Sequence, residues 1–314
     1  MVRTEPASGL FKGDLPGAGT SQKQAILESY ACFRVHPDLD IWVVPNFAQR
    51  ELAFDPVATQ SKLESSYPIR HAGDAIQAGQ VQWVDGDNEA LKYRGHVLKR
   101  GKIWLQVGEP KDVGFRLYHY TGWQWRVLPA TACVDACPEV APIMKRYNEW
   151  AVAVGMSEAN HAIVTKYLNE SHSIGFHFDK PKDIEKGSLI TVVKTGTCGR
   201  PFELRMRVKM TEQEKEAYKA MDDLEKQAFK KALDARQSKV KPFFSQVLAP
   251  GTAVIMTLEA NLETQHGVPE LKTKIGPSGS VVFRTITKCV SWAKVEKATA
   301  TRDRKRSKKR ARGE

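Results

Sequence analysis

The chain has 314 residues, of which 41% are hydrophobic, so it can form one large domain with a proper core and appendages. Its five cysteines are odd in number and scattered, which excludes a disulfide framework and favours a reducing compartment. No stretch approaches the ~20 apolar residues of a membrane span. The formal net charge of +12 favours a nucleic-acid partner. We expect an intracellular monomer without membrane contact.

The amino-terminal segment, residues 1–25, is polar and rich in glycine. A secretory signal needs an apolar central stretch, which this segment lacks, so we predict a flexible, disordered lead-in. The main domain should then occupy residues 26–295 and begin with helices that flank its sheets.

Two segments ahead of the main strands combine positive charge with aromatic rings. Residues 93–102 are basic and turn-prone, and residues 115–125 are dense in aromatics. A base taken out of its stack needs ring faces to stack on, and its phosphates need cations. Aromatic residues in a strand also commonly pack a core, so both interpretations stay open. The candidates for substrate contact are Arg94, Lys99, Arg100, Tyr118, Tyr120 and Trp123.

The central part of the chain predicts a run of antiparallel strands. Its segments are short, rich in β-branched residues and bounded by Gly, Pro or Ser. The first contains a polar turn at residues 169–173. The predicted strand segments are 163–180, 187–196, 201–208, 251–258 and 280–287.

A charged segment at about residues 209–242 interrupts the strand pattern. Thr211 and Glu214 have the spacing of a capping box, and apolar residues then recur at helical spacing without Gly or Pro. We predict one long helix or a pair of helices inserted between two strands. It could be a lid, a partner surface, an arm that grips a duplex, or a helix packed on the outside of the sheet.

The carboxy-terminal residues 296–314 form a basic tail. Within it, residues 301–314 contain eight basic and two acidic residues, which is about half of the net charge. Such a run cannot bury anything, so we expect it to be disordered until it meets phosphates or an import receptor. A nuclear location and contact with DNA or RNA are the expectations, and a merely solubilising tail is the alternative.

The most informative motif is His177-Phe178-Asp179, followed much later by His266. Two neutral imidazoles and one carboxylate occupy one face of a ferrous ion and leave the opposite face for a co-substrate and O2. Side chains alternate along a strand, so His177 and Asp179 lie on one side of it. An H-x-D tripeptide alone is weak support, but its setting in a run of strands strengthens the prediction of an Fe(II) site.

The order of strand, H-x-D, several strands, His266-Gly-Val-Pro269 and a strand carrying Arg284 resembles the AlkB family of Fe(II)- and 2-oxoglutarate-dependent dioxygenases. The resemblance covers about residues 90 to 290. Its most specific parts are the His-Gly-Val-Pro segment and the offsets of twelve and eighteen residues from His266 to Ser278 and Arg284. It implies a mainly β double-stranded β-helix, or jelly roll, with flanking helices.

The same resemblance implies where 2-oxoglutarate would bind. Tyr167 stands ten residues before His177, where the family has a tyrosine that donates to this co-substrate. The family's R-x-N-x-T-x-R stretch reads Ser278 to Arg284 here, so its second arginine is kept. Ser278 stands in place of the first arginine, and Ser280 stands in place of the asparagine of that stretch. The family has a second asparagine two residues before the tyrosine, and Thr165 replaces it here. A serine cannot replace a bidentate guanidinium.

Two explanations compete for the missing arginine. Lys194, on the strand after the metal pair, could supply the cation for the distal carboxylate, or it could be an ordinary strand lysine that points to solvent. Alternatively, the protein uses another oxoacid or reductant, or has lost turnover. The resemblance also implies that Tyr120 stacks on a flipped base.

The expected activity is oxidation of N-methyl groups on bases of nucleic acid, with Fe(II), 2-oxoglutarate and O2. A first rival is hydroxylation of a C-methyl group, as in TET and base-J enzymes, which share the metal triad. A second rival is a nucleic-acid-binding module without catalysis that has lost its use of 2-oxoglutarate.

Overall fold

The computed structural model describes residues 32–70, 79–85, 92–93, 96–97, 99–116, 131–297, 300–301 and 304. Within these, the fold is mainly β, as predicted. The strands are β1 (Phe33–Arg34), β2 (Ile41–Val44), β3 (Ile69–Arg70), β4 (Trp83–Asp85), β5 (Lys92–Tyr93), β6 (His96–Val97), β7 (Gly101–Gln106), β8 (Phe115–Arg116), β9 (Thr131–Cys133), β10 (His161–Tyr167), β11 (Ile174–His177), β12 (Leu189–Gly196), β13 (Arg200–Met206), β14 (Phe244–Leu248), β15 (Ala253–Thr257), β16 (Thr264–Val268), β17 (Ser278–Arg284) and β18 (Cys289–Val290).

Helices flank these strands. The helices are α1 (Phe47–Arg50), α2 (Pro56–Ser66), α3 (Pro110–Val113), α4 (Ala141–Ala153), α5 (Glu212–Ala220), α6 (Asp223–Ser238) and α7 (Leu258–Glu263). Two short 3-10 turns, Val134–Ala136 and Pro181–Asp183, are also present. The helix α2 begins at a typical signal, because Asp55 accepts hydrogen bonds from two backbone amides and Pro56 follows it.

Two sheets form a double-stranded β-helix. The large sheet has the central order β15-β12-β17-β10, and the small sheet has the order β11-β16-β13-β14. From β10 to β17 the chain crosses repeatedly between the two sheets, and the pairs within this core are antiparallel. This winding is the jelly roll that the sequence predicts.

Each face of the large sheet has its own core. One face packs on the helices, where Val193 and Phe283 meet Leu63 of α2 and Tyr147 of α4. The opposite face turns towards the small sheet, and Val192 and Val282 pack there with Phe202, Leu204 and Val268. Because side chains alternate along a strand, Lys194 lies on the same inner face as Val192.

The charged insertion is a pair of helices, α5 and α6, between β13 and β14. Each helix begins with a capping box, at Thr211 and at Asp222. Gln237 attaches the pair to the sheet, since its Nε2 donates to the Met206 carbonyl at 3.0 Å and its Oε1 accepts from the Val208 amide at 2.7 Å. The strand end at Met206 pairs with Thr264 in the strand that also carries His266. The insertion therefore leaves the barrel at the end that carries the predicted metal ligands.

The segment after Arg284 is fixed beside that same end. The Thr287 amide donates to the carbonyl of Asp183, four residues after Asp179, and β18 pairs with β8. The Trp292 ring then stacks on Phe115 at 5.2 Å with an interplanar angle of 13°. Residues 292–297, 300–301 and 304 are helical, so the described part of the predicted tail is helical and not disordered.

No disulfide joins the described cysteines, which are Cys32, Cys133, Cys137, Cys198 and Cys289. None of the described helices is long and apolar enough to cross a bilayer. The predicted lead-in at residues 1–25, and most of the tail, lie outside the described part of the chain.

Candidate metal site

The structure brings His177, Asp179 and His266 together. His177 ends β11 and pairs in register with His266 of β16. One potential ligand atom from each of the three residues lies within 4.8 Å of the others, and the two imidazole ring centres are 4.4 Å apart. Two imidazoles and one carboxylate in such a cluster form the donor set of a facial ferrous site.

Asp179 is held by its surroundings on two sides. It is 1% exposed, and its backbone amide donates to Asn261 Oδ1 at 2.8 Å, while Asn261 Nδ2 returns a hydrogen bond to its carbonyl at 2.7 Å. Arg284 contacts Oδ2 of the carboxylate with Nε at 2.7 Å and Nη2 at 2.6 Å. The carboxylate is therefore paired with a cation and fixed in orientation, which suits a metal ligand.

Both histidines are suited to ligate as neutral imidazoles. Burial lowers the pKa of His177 well below its usual value, and the adjacent His266 lowers it further. Burial likewise lowers the pKa of His266. His177 Nδ1 lies 2.9 Å from the Gly175 carbonyl, so a proton on Nδ1 would leave Nε2 for a metal. The residues present therefore fit a divalent metal ion.

A polar row crosses the inner face of the large sheet. Lys194 pairs in register with Ser280, Ser280 with Thr165, and Thr165 with Lys102. All four are buried, with 2% to 6% of their surface exposed. Two hydroxyls thus lie between two lysines on four adjacent strands, in an otherwise apolar interior.

Lys194 lies in this interior and does not point to solvent. It is 2% exposed, and its Nζ lies 5.8 Å from the centre of the Tyr167 ring. Burial, with a smaller effect of the neighbouring Arg200, lowers the pKa of Lys194 to about 8. Among the described residues no carboxylate pairs with it. An anion bound in the barrel would stabilise a buried ammonium in this position.

Arg200 is a second buried cation beside Tyr167 that the sequence did not single out. It is fully buried, and its guanidinium carbon lies 5.1 Å from the centre of the Tyr167 ring. Its nitrogens donate to the carbonyls of Asn169, Glu170 and His172, which fixes the turn between β10 and β11. An arginine at the start of a strand has no sequence pattern that would predict its hydrogen bonds to this turn.

Ser278 marks the place where the family's missing arginine would stand. It pairs with both Tyr167 and Gly196, and its buried Oγ has no hydrogen-bond partner among the described residues. A buried hydroxyl without a described partner, in register with Tyr167, would suit a polar ligand bound in this interior. The predicted co-substrate residues Tyr167, Thr165, Ser280, Lys194 and Arg284 therefore all line the same barrel interior.

His161 also belongs to the site and was missed in the sequence. It pairs with Arg284 across β10 and β17, and it is 1% exposed. Burial, followed by the charges of Arg284 and Arg116, lowers its pKa to about 3. His161 is therefore a neutral polar group beside the ion pair of Arg284. A lone histidine at the start of a strand carries no signal that would have identified it.

The predicted substrate contacts divide into two groups. Arg94, Tyr118, Tyr120 and Trp123 lie outside the described residues. Lys99 is exposed, whereas Arg100 is buried and donates from Nη1 to the Ser173 carbonyl at 2.8 Å. Arg100 thus lies between β7 and the segment that leads into His177.

The chain was also compared with known proteins. No family model and no curated protein matches it. One similar solved structure is described as an oxidoreductase of the 2OG-Fe(II) oxygenase family from Burkholderia pseudomallei. It is 12% identical, covers 89% of this chain and 95% of its own, and has a TM-score of 0.37. A likeness this distant carries no assignment, so the function rests on the residues themselves.

Proposed function

We propose that this protein is an Fe(II)- and 2-oxoglutarate-dependent dioxygenase. The observation that carries the proposal is the convergence of His177, Asp179 and His266 at one end of a jelly roll, with Arg284 fixed on the carboxylate. Structural zinc sites close their coordination with four protein ligands, whereas this cluster has three among the described residues and leaves room for a co-substrate.

The residues that would hold 2-oxoglutarate differ from those of the AlkB family. Lys194, in the same sheet as Ser278, would replace the missing arginine as the cation for the distal carboxylate. Ser280 and Thr165 offer hydroxyls in the same polar row as Lys194, and the Tyr167 ring faces the ammonium group of Lys194. When bound, Fe(II) and 2-oxoglutarate would activate O2, with succinate and CO2 released and one oxygen atom inserted into a substrate C–H bond.

This chain's own residues would supply orientation and charge. Arg284 holds Asp179 as an ionised ligand, and Asn261 fixes the backbone on both sides of it. His161 pairs with Arg284 in register and is neutral, so it neither repels the guanidinium nor competes with it for the Asp179 carboxylate. The jelly roll keeps the ligand set rigid, because His177 and His266 belong to paired strands.

We infer that the substrate is an alkylated base in DNA or RNA. The net charge of +12, the eight basic residues in the last fourteen, and the resemblance to AlkB support this. Oxidation of an N-methyl group gives a hemiaminal, which releases formaldehyde and returns the unmodified base. Tyr120 would stack on the extruded base, and the basic tail would also direct the protein to the nucleus.

Two other functions remain distinguishable from this one. Hydroxylation of a C-methyl group uses the same metal triad but leaves a stable hydroxymethyl base and no formaldehyde. A non-catalytic module would bind nucleic acid without using 2-oxoglutarate, and Ser278 in place of an arginine favours it. The buried Lys194 supports the catalytic alternative, because it offers a cation in the same sheet as Ser278.

The test is an anaerobic titration of the Fe(II)-loaded protein with 2-oxoglutarate. We expect a metal-to-ligand charge-transfer band, and then succinate and formaldehyde when air and a methylated oligonucleotide are added. The matched controls are Asp179→Asn, which should remove the band, and Lys62→Met on the exposed face of α2, which should keep it. Absence of the band in the parent protein would refute the oxygenase assignment.

A further inference from the structure

Two arginines on the outer face of the small sheet lie over the rings of two phenylalanines. The guanidinium carbon of Arg205 is 4.1 Å from the centre of the Phe176 ring, and that of Arg207 is 3.9 Å from the centre of the Phe178 ring. All four residues are half-buried, so each pair keeps part of its surface in contact with solvent. The phenylalanines flank His177 in the sequence, and side chains alternate along a strand, so the two pairs lie on the face opposite to the metal ligands.

The two Arg–Phe pairs repeat along the direction of β13. Arg205 lies within this strand, and Arg207 follows its end, where the Arg207 amide continues the ladder by donating to the Glu263 carbonyl at 2.8 Å. Two residues along an extended chain span about 6.6–6.8 Å. This distance is comparable to the separation of successive phosphates in an extended nucleic-acid strand. The face therefore presents a cation and a ring at the repeat of a nucleotide.

Both guanidinium groups keep N–H groups for an anion. Arg205 donates from Nε to the side-chain oxygen of Gln265 at 2.9 Å, and Arg207 donates from Nη1 to the Leu262 carbonyl at 3.3 Å. In the part of the chain with described positions, neither arginine takes part in an ion pair. Their other N–H groups can therefore receive the oxygens of a bound anion.

The acidic residues beside these pairs do not cancel their charge. Glu263 is already ion-paired with Lys209. Glu203, two residues before Arg205, accepts a hydrogen bond from the Ser245 hydroxyl at 3.1 Å. Among the described residues of this face, two guanidinium groups thus stand against one carboxylate that has no cation of its own. The net charge of the face is positive, which is complementary to a polyanion.

We propose that the outer face of the small sheet binds a single-stranded segment of nucleic acid, with phosphates on Arg205 and Arg207 and bases stacked beside Phe176 and Phe178. The inference rests on the proposed function for the class of partner, and it adds a binding surface outside the barrel. A guanidinium over a ring can offer its N–H edge to a phosphate and its open face to a base. A four-stranded antiparallel sheet that exposes rings is a recurrent platform for single strands. An acidic peptide would use the two cations and leave the rings without a role.

The position of this face connects it with the metal site. The strand β11 is at the edge of the small sheet and ends at His177, between the two phenylalanines. A nucleic-acid strand bound over their rings would cross the edge of the sheet beside the metal ligands. It would thereby bring a neighbouring nucleotide to the end of the barrel where His177 and His266 meet.

The experiment measures binding of a fluorescent oligothymidylate to the full-length Fe(II) protein without air, at several salt concentrations. Arg205→Gln with Arg207→Gln should weaken binding about tenfold or more and reduce the slope of log K against log salt by about 1.4, because two phosphate contacts are lost. Arg205→Lys with Arg207→Lys should keep the slope but still weaken binding, since an ammonium supplies charge without a flat stacking surface. Lys145→Gln with Arg146→Gln removes the same charge from exposed positions of α4, on the far side of the large sheet, and should change neither quantity.

A second pair of substitutions tests the rings. Phe176→Leu with Phe178→Leu keeps both arginines and much of the apolar volume. It should weaken binding about fivefold or more, because base stacking is lost, and it should leave the salt slope unchanged. Near-UV circular dichroism shows whether each variant keeps the fold of the parent protein.

The results that would overturn the proposal are specific. They are equal affinity and slope in the parent and the double glutamine variant, equally tight binding of a polyglutamate of matched length, or no binding of any single strand at low salt. The charge-transfer band with 2-oxoglutarate judges the oxygenase assignment separately. If this band is absent and the double glutamine variant still loses affinity and slope, the binding surface is correct and the proposed activity is wrong.

Discussion

Arg284 contacts a single oxygen of Asp179 with two nitrogens, Nε at 2.7 Å and Nη2 at 2.6 Å from Oδ2. Both residues are almost completely buried, so this ion pair is little screened by water. The guanidinium plane fixes the rotation of the carboxylate, and it thereby links the last strand of the jelly roll to the metal ligand that follows β11.

Replacement of Arg284 should weaken metal binding. Arg284→Met would leave the Asp179 carboxylate without the group that orients it, so we expect a loss of about 10- to 100-fold in affinity for Co(II) as a spectroscopic probe. Titration of the visible absorption of Co(II) measures this. Lys288→Met removes a neighbouring, half-exposed ion pair with Asp183 and should leave the affinity unchanged. Equal affinity in both variants would show that Arg284 does not position the ligand.

Loss of the metal ligands should separate activity from stability. His177→Ala and Asp179→Ala should both abolish Fe(II)-dependent turnover. Asp179→Ala should in addition lower the free energy of unfolding by about 3–5 kcal/mol, because it leaves Arg284 buried without its carboxylate. His177 is half-buried and makes no ion pair among the described residues, so its removal should cost much less. Urea unfolding of the metal-free variants compares them, and equal stabilities would contradict the argument.

Binding of 2-oxoglutarate should weaken as the pH rises. The pKa of Lys194 is lowered to about 8 in the free protein, so the side chain is protonated below that pH and increasingly neutral above it. An anion pairs with the protonated form, so binding above pH 8 requires proton uptake. The apparent Kd should therefore rise about tenfold between pH 7 and pH 9. Calorimetry in buffers of different ionisation enthalpy measures both quantities.

Variants of Lys194 provide the control for that pH dependence. Lys194→Met should weaken 2-oxoglutarate binding and remove the dependence, and Ser278→Arg in that background should restore part of the affinity. Lys166 is also buried, but it lies over Trp83 on the opposite side of the sheet, so Lys166→Met should bind as the parent does. Unchanged affinity in Lys194→Met would assign the distal carboxylate elsewhere, with Arg200 as the next candidate.

Deletion of residues 301–314 should weaken binding to all nucleic-acid sequences alike. Contact of half of its eight basic residues with phosphates would contribute about −3 to −4 to the slope of log K against log salt. Binding curves at several salt concentrations test this against a variant whose tail is a Gly/Ser segment of equal length. If both bind as the parent does, the tail is a localisation signal.

Replacement of Tyr120 should have the opposite effect. Tyr120→Ala should leave the affinity for nucleic acid unchanged and lower turnover, since it removes the ring that would stack on the extruded base.

The sequence predicted the winding of the barrel well. Short β-branched segments bounded by Gly or Pro became β12, β13, β15 and β17, and the capping box at Thr211 marks the start of a real helix. The strand β14 was not predicted, because its exposed middle residues interrupt the apolar pattern. Edge strands bury only part of one face, so their sequences carry a weaker signal.

The site was predicted in part. His177, Asp179 and His266 were predicted as metal ligands from residue type and spacing, and the structure brings the three side chains together. Thr165, Ser280 and Lys194 were candidates from the resemblance, but their alignment in one row with Lys102 could not be predicted, because it depends on the register of three strand pairs. Asn261 could not be predicted either, because it contacts Asp179 from 82 positions away along the chain and only the fold brings the two together.

The stacking of Trp292 on Phe115 has a consequence for the basic tail. It fixes the point from which residues 298–314 continue, and it does so beside β8, whose Arg116 is close enough to act on His161. If the tail binds a polyanion, that polyanion would meet the metal site as a tethered ligand, at an effective concentration of roughly millimolar. Loss of this single ring contact would change no charge in the protein, but it would lengthen the tether between the tail and β8 and so lower that effective concentration.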